Sequence, residues 1–212
     1  MTVDDRPKLR GVLHQVGAFA ALCAGVFLVV RAPNARAAWA CVAFTASHVA
    51  QLTVSALYHR VTWSTAARAR MRRVDHAAIF VLIAGSATPF SLLSMPAELS
   101  AKLMWLFWVG AAIGVAITIG WPAKPKWIMP VLCVALGWAG APWWLDPRGT
   151  LDTFTAVLIG SSGAIYSIGA LCYALKRPNF APGVFGYHEL FHALTLVAAA
   201  INFVAVGHVL GH

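Results

Sequence analysis

Charge is scarce in this chain. Only 11% of its 212 residues are Asp, Glu, Lys or Arg, against about 25% in an ordinary soluble domain. Hydrophobic residues make up 60% of it and the mean hydropathy is +0.73, so the composition is that of a polytopic membrane protein and excludes a soluble globular domain. Close cysteine pairs are missing as well. Cys23, Cys41, Cys133 and Cys172 lie scattered inside apolar runs, which argues against a disulfide framework or thiolate site and reads them as small buried hydrophobes. No cleavable leader is expected, because the polar start MTVDDRPKLR precedes an apolar run long enough to be kept as a first span. No internal repeat stands out.

What the chain does have is long apolar runs. Taking about 20 residues as one crossing, seven are expected: Gly11–Val30, Ala38–Tyr58, Asp75–Ser94, Leu103–Trp121, Trp127–Leu145, Thr153–Leu175 and Tyr187–Leu210. The connections are short, rich in Pro or Gly, and charged, so residues 1–212 read as one all-α seven-helix transmembrane bundle. Trp39, Trp121, Trp127, Trp143 and Trp144 sit at run ends and read as interfacial belt residues. Pro89, Pro130 and Pro142 fall within runs and are candidates for kinks. Small-residue spacings such as Gly110–Gly114 and Gly160–Gly163 suit close helix packing.

The net charge of +9 is distributed, not clustered on a soluble face, which removes nucleic acid as a partner. Twelve Lys and Arg fall on one side, in the tail (Arg6, Lys8, Arg10), after the second run (Arg60, Arg68, Arg70, Arg72, Arg73), after the fourth (Lys124, Lys126) and after the sixth (Lys176, Arg177). Four fall on the other: Arg31, Arg36, Lys102 and Arg148. This asymmetry puts the N-terminus in the cytoplasm and the C-terminus outside.

Polar residues inside the runs are few, and several converge at one depth. His188 and His192 lie one turn apart at the start of the seventh run, His59 and Ser55 one turn apart at the end of the second, and Asp75 and His76 at the start of the third. Ionisable groups in a membrane helix need a reason. Three imidazoles with an open fourth position form a catalytic zinc arrangement, in which the metal lowers the pKa of bound water towards about 7. A nearby carboxylate, Asp75, could act as general base, with Ser55 hydrogen-bonded to it or to the water. The remaining histidines, His14, His48, His76, His208 and His212, read as structural. At 1.5 Å per residue His208 lies about 24 Å along the helix from His192 and cannot share its metal.

His188–His192 also fits the HExxH metalloprotease pattern, in which the Glu is the base. No acidic residue follows Glu189 to complete such a site, so Glu189 reads instead as a charge favoured at a helix N-terminus.

RGVLH at 10–14, SALYHR at 55–60, RVDHAAIFVLIAGSATPF at 73–90 and FGYHELFH at 185–192, in this order over nearly the whole chain, resemble the bacterial haemolysin III family. That family is similar to the progestin and adipoQ receptors and, more distantly, to the alkaline ceramidases. The resemblance implies a multi-pass protein of the bacterial plasma membrane with a zinc ion held by His59, His188 and His192, the motif Asp at Asp75 and the motif Ser at Ser55. GSATPF departs from the GTYTPF expected of the family, a change that bears on packing and not on the metal.

The expected function is zinc-dependent hydrolysis of a membrane lipid amide or ester. Two alternatives stand beside it, a membrane-perturbing or pore-forming protein, and a sensor that binds a lipid or fatty acid without turnover, each with a structural zinc. The fourth and fifth runs carry almost no polar residues, which weighs against a channel.

Overall fold

The computed structural model describes residues 9–146, 151–181 and 183–211; Arg6, Lys8, Arg148 and His212 lie outside them. Among the described residues eight helices follow one another: α1 (Val12–Arg31), α2 (Ala35–Arg60), α3 (Thr65–Ser94), α4 (Ala97–Gly120), α5 (Ile128–Trp138), α6 (Ala141–Trp144), α7 (Thr153–Leu175) and α8 (Tyr187–Leu210). Six of these are long and apolar enough to cross a membrane. α5 and α6, with 11 and 4 residues, are the exception. At 1.5 Å per residue α5 is about 16 Å long, half a hydrocarbon core.

The fifth apolar run is thus one broken helix. Gly137 and Gly140 lie at the break, where glycine weakens helix continuation, and Pro142 begins the short α6, a position where its missing N–H is harmless. Pro130 likewise sits in the first turn of α5, leaving Pro89 in α3 as the proline deep inside a helix.

α3 begins ten residues before the expected Asp75. Ser64 caps it by accepting from the Ala67 N–H at 3.4 Å, and the TAARARMRRV stretch is built from good helix formers that a hydropathy reading rejects for their charge. The extension carries Arg68 and Arg72 onto the same face as Asp75, at spacings of four and three residues.

Neighbours in sequence pack as neighbours in space: α1 on α2, α2 on α3, α3 on α4 and α7 on α8, with α5 joining α3, α4 and α7. α8 closes the bundle by touching α1, α2, α3 and α7. α3 and α4 come close at Gly114, where a Cβ would stand 2.3 Å from the Phe80 ring, as small residues at membrane-helix contacts allow. The apolar core gathers Phe44, Phe80, Phe90, Phe107 and Leu103. Trp144 belongs to it. Expected at the membrane surface, Trp144 is buried and stacks on Phe107 with centroids 5.1 Å apart, because the helix break turns it inwards. Trp39, Trp121, Trp127 and Trp143 are exposed as expected. The four cysteines are free.

Candidate metal centre

Three helix ends meet at one end of the bundle. The last turn of α2 brings His59, the first two turns of α8 bring His188 and His192, and the second half of α3's polar extension brings Asp75. α8 starts where it does because the Glu189 carboxylate accepts the Gly186 N–H at 3.0 Å and Asn179 accepts the Tyr187 N–H at 3.1 Å, so both of these otherwise orphaned amides are satisfied.

The ring centroids of His59, His188 and His192 form a triangle with sides of 4.7, 5.0 and 4.7 Å. One nitrogen from each can be chosen so that all three lie within 4.8 Å of one another. The closest pair, Nε2 of His59 and Nε2 of His188, is 3.2 Å apart. Two nitrogens held at about 2.0–2.1 Å by one tetrahedral ion stand about 3.4 Å apart, so this pair already has the right spacing. A hydrogen bond between two rings would account for one side of the triangle, whereas a cation would take one lone pair from each of the three. His59 and His192 are buried, at 6% and 3% exposure, and imidazole is a common donor to first-row metals. The three histidines therefore fit a metal ion.

Asp75 is not part of that cluster. It is buried, accepts a hydrogen bond from Ser55, and lines the same cavity as the three histidines, which places an acceptor near the ligands without making it one of them. Glu189, the Glu of the HExxH pattern, is turned elsewhere. It forms an ion pair with Arg10, is 2% exposed and does not line the cavity. Its position at the start of α8 is the expected one, and the partner from before α1 is what the sequence reading did not supply.

His14 was expected to be structural, and the contact it makes was not foreseen. It lies flat against His192, centroids 3.9 Å apart and planes 11° from parallel, and it is 1% exposed. Gly11 permits this approach. Its φ of 78° is left-handed, and a Cβ there would meet His59 Cβ at 2.8 Å; no other residue type fits both conditions. The RGVLH motif thus sets Arg10 on Glu189 and His14 on His192. Of the other histidines expected to be structural, His48, His76 and His208 have contacts of their own, and His212 lies outside the described residues. His48 Nδ1–H donates to the Phe44 carbonyl at 2.8 Å and His76 Nδ1–H to that of Arg72 at 2.7 Å, while His208 lies 3.4 Å from Asp152 at the far end of α8.

The cavity that the histidine cluster faces has a volume of about 1030 Å³, at the upper end of small-molecule sites. It runs from Arg68 and Lys124 at the histidine end to Phe90, Phe107 and Trp144 at the other. Ser86 and Ala87, where the chain departs from the GTYTPF pattern, lie on its wall, so the departure shapes the cavity as well as the packing.

Comparison with known proteins adds a family. Residues 4–203 match the family described as Haemolysin-III related. The chain is 29% identical over 198 residues to the Hemolysin-3 homolog of Bacillus subtilis (strain 168), covering 92% of this chain and 90% of that protein. It is 27% identical over 201 residues to Hemolysin-3 of Bacillus cereus, covering 92% of this chain and 87% of that one.

Proposed function

This chain belongs to the haemolysin-III related family, and from that premise we propose that it is a multi-pass plasma-membrane enzyme, a zinc-dependent hydrolase of a membrane lipid amide or ester. The observation that carries the reading is the three-histidine cluster opening, together with Asp75, onto a cavity whose deeper wall is apolar. Such a cavity suits a lipid carbonyl with its hydrocarbon chain. Zinc, when bound, would supply a Lewis acid that polarises the carbonyl and makes water reactive near neutral pH.

The chain's own residues do the rest. His59, His188 and His192 hold the ion from two helices, and the stack of His14 on His192 fixes one of the three rings. Asp75 would take the proton of the attacking water on a carboxylate oxygen and hand it to the leaving amine or alcohol as the amide C–N or ester C–O bond breaks. Ser55 holds that carboxylate through its hydroxyl, and burial keeps bulk water from competing for it. Asp75→Asn should retain zinc while lipid hydrolysis falls by about 10²–10⁴-fold. A zinc-loaded wild type that cleaves nothing in a broad panel of lipid amides and esters, with Asp75→Asn leaving the cellular effect unchanged, would sink the hydrolase reading.

The name Hemolysin-3 of the Bacillus cereus relative motivates the second reading, a membrane-perturbing protein or lipid sensor with a structural metal. The aromatic wall at Phe90, Phe107 and Trp144 favours a lipid chain over an aqueous pore. For topology, the twelve-to-four distribution of Lys and Arg supports seven crossings, with α5 and α6 together making the fifth, a cytoplasmic N-terminus and an external C-terminus. A C-terminal reporter active in the cytoplasm would reverse this placement.

A further inference from the structure

One stripe of α3 forms a wall of the cavity along its length: Arg68, Arg72, Asp75, Ile79, Leu82 and Phe90. Steps of three or four residues, with Ser86 midway between Leu82 and Phe90, keep them on one face, and apart from that serine their chemistry changes in order from cationic through carboxylate to apolar. The cationic end is reinforced by Arg73 on the same helix and, from other elements, by Lys124, Lys126 and Lys176, which line the cavity with it. Among the described residues Asp75 is the only acid that lines the cavity anywhere. Glu189, the other acid at this end, is taken by Arg10.

A requirement for positive charge on one membrane face does not explain this arrangement. Such a requirement is met by side chains turned wholly outwards to lipid head groups, whereas these cations line the mouth of a cavity and crowd one another, Arg68, Arg73 and Lys124 half-buried and Arg72, Lys126 and Lys176 exposed. Lys124 is held below the usual lysine range by desolvation, and next by Arg72 and Arg73. Its ammonium leans on the Thr118 and Trp121 carbonyls at 3.0 and 3.2 Å. The Arg68 guanidinium lies over the Tyr58 ring, 5.3 Å from its centroid, and its Nη1 is buried without a hydrogen-bond partner. A buried unpaired donor on a cation is costly. An anionic ligand at this end would satisfy it and relieve the repulsion together.

We propose that the lipid taken by this cavity is an acyl lipid with an anionic head, held by Arg68, Arg72 and Lys124. This deepens the hydrolase reading and rests on it for the position of the scissile bond. Arg72 and Arg68 lie three and seven residues before Asp75, roughly 5 and 10 Å along the helix. That separation fits a short polar linker between an anionic group and an ester or amide carbonyl at the histidines. From Asp75 to Phe90 the helix continues for about 22 Å, more than the roughly 15 Å of one leaflet's hydrocarbon, which is long enough for a full acyl chain. A phosphate monoester supplies the shared chemistry, anionic oxygens for guanidinium; a carboxylate supplies it with less charge.

The test is equilibrium binding to the purified, zinc-loaded full chain in an uncharged detergent. The probes are a lysophospholipid with a phosphate-monoester head, the same acyl chain with a phosphocholine head, the free fatty acid, and inorganic phosphate. The phosphate-monoester lipid should bind at least about tenfold tighter than the phosphocholine lipid, with the gap narrowing in high salt. Arg72→Gln combined with Lys124→Gln should remove that preference and leave zinc content and phosphocholine-lipid binding in place. Fatty acid binding as tightly as the phosphate lipid supports the anionic head and assigns it as a carboxylate. Equal binding of the two lysophospholipids by the wild type overturns the inference, and so does a double variant that weakens both alike. Inorganic phosphate competing as tightly as the lipid would show an anion site with no lipid. If Asp75→Asn and the wild type both prefer the anionic lipid and neither cleaves it, the hydrolase reading falls and the head-group site stands. Cleavage at equal rates and equal affinities for both lysophospholipids does the reverse.

Discussion

The His14 ring lies on the His192 ring at a centroid distance of 3.9 Å, joining α1 to a member of the three-histidine cluster on α8. The contact is one of ring on ring, with no side-chain hydrogen bond between the two. It restricts how His192 can rotate, and partners that orient a ligand typically change metal affinity by about 10–100-fold when removed.

His14→Ala should therefore lower zinc affinity by about tenfold, the lower end of that range because the contact between the two side chains is a stack. His14→Phe keeps a flat ring at the same place and should retain the affinity. Competition with a chromophoric chelator measures both. A Phe variant as weak as the Ala variant would show that a ring nitrogen of His14, and not its stacking, serves the site.

Periodicity and hydropathy made part of this site readable. His188 and His192 are a helix turn apart in any helix, and alternation of direction from run to run puts the end of α2, the start of α3 and the start of α8 on one side. Those two regularities suffice to gather His59, Asp75, His188 and His192. The partners of His14 and Glu189 were not readable, since the sequence does not tell which face of α1 turns towards α8, and Gly11's left-handed φ is what sets that face. The early start of α3 was hidden by its arginines, whose long side chains can reach the surface from a continuing helix. Trp144 looked interfacial because its neighbours do; only the break between α5 and α6 points it at Phe107.

The far end of the bundle carries a pH-sensitive cap. Asp152 precedes α7 and accepts from the Thr155 hydroxyl at 2.6 Å and the Thr155 N–H at 3.1 Å. The hydroxyl first and the amide second hold its carboxyl down, from 3.8 to about 2. A depressed pKa in the folded state means that the fold favours the carboxylate, so the stabilisation is complete above pH 3.8 and is lost as the pH falls through about 2. The side chain is half exposed, so the effect is a modest one. Asp152→Asn keeps an acceptor but has no charge to lose. In uncharged detergent the wild type should melt above the Asn variant at pH 5, and the two should converge as the pH approaches 2; a gap of constant size across that range would contradict the assignment.

The metal ligands make the last prediction. His59 belongs to α2, whereas His188 and His192 belong to α8, so an ion shared by the three joins helices separated by more than a hundred residues of chain. Binding free energy at such a site is partly folding free energy. Replacing any of the three with Ala should reduce bound zinc, measured by elemental analysis, from about one per chain to near background, because two imidazoles hold zinc far more weakly than three. His208→Ala is the control: it removes a histidine from the same helix as His188 and His192, but one paired with Asp152 at the opposite end, and should leave zinc content unchanged. The same linkage predicts that a chelator lowers the melting temperature of the wild type and of His208→Ala, and has no further effect on the three ligand variants. A His188→Ala protein with full zinc, or a wild type whose melting is indifferent to chelator at complete zinc removal, would show that the three rings do not share an ion that holds α2 to α8.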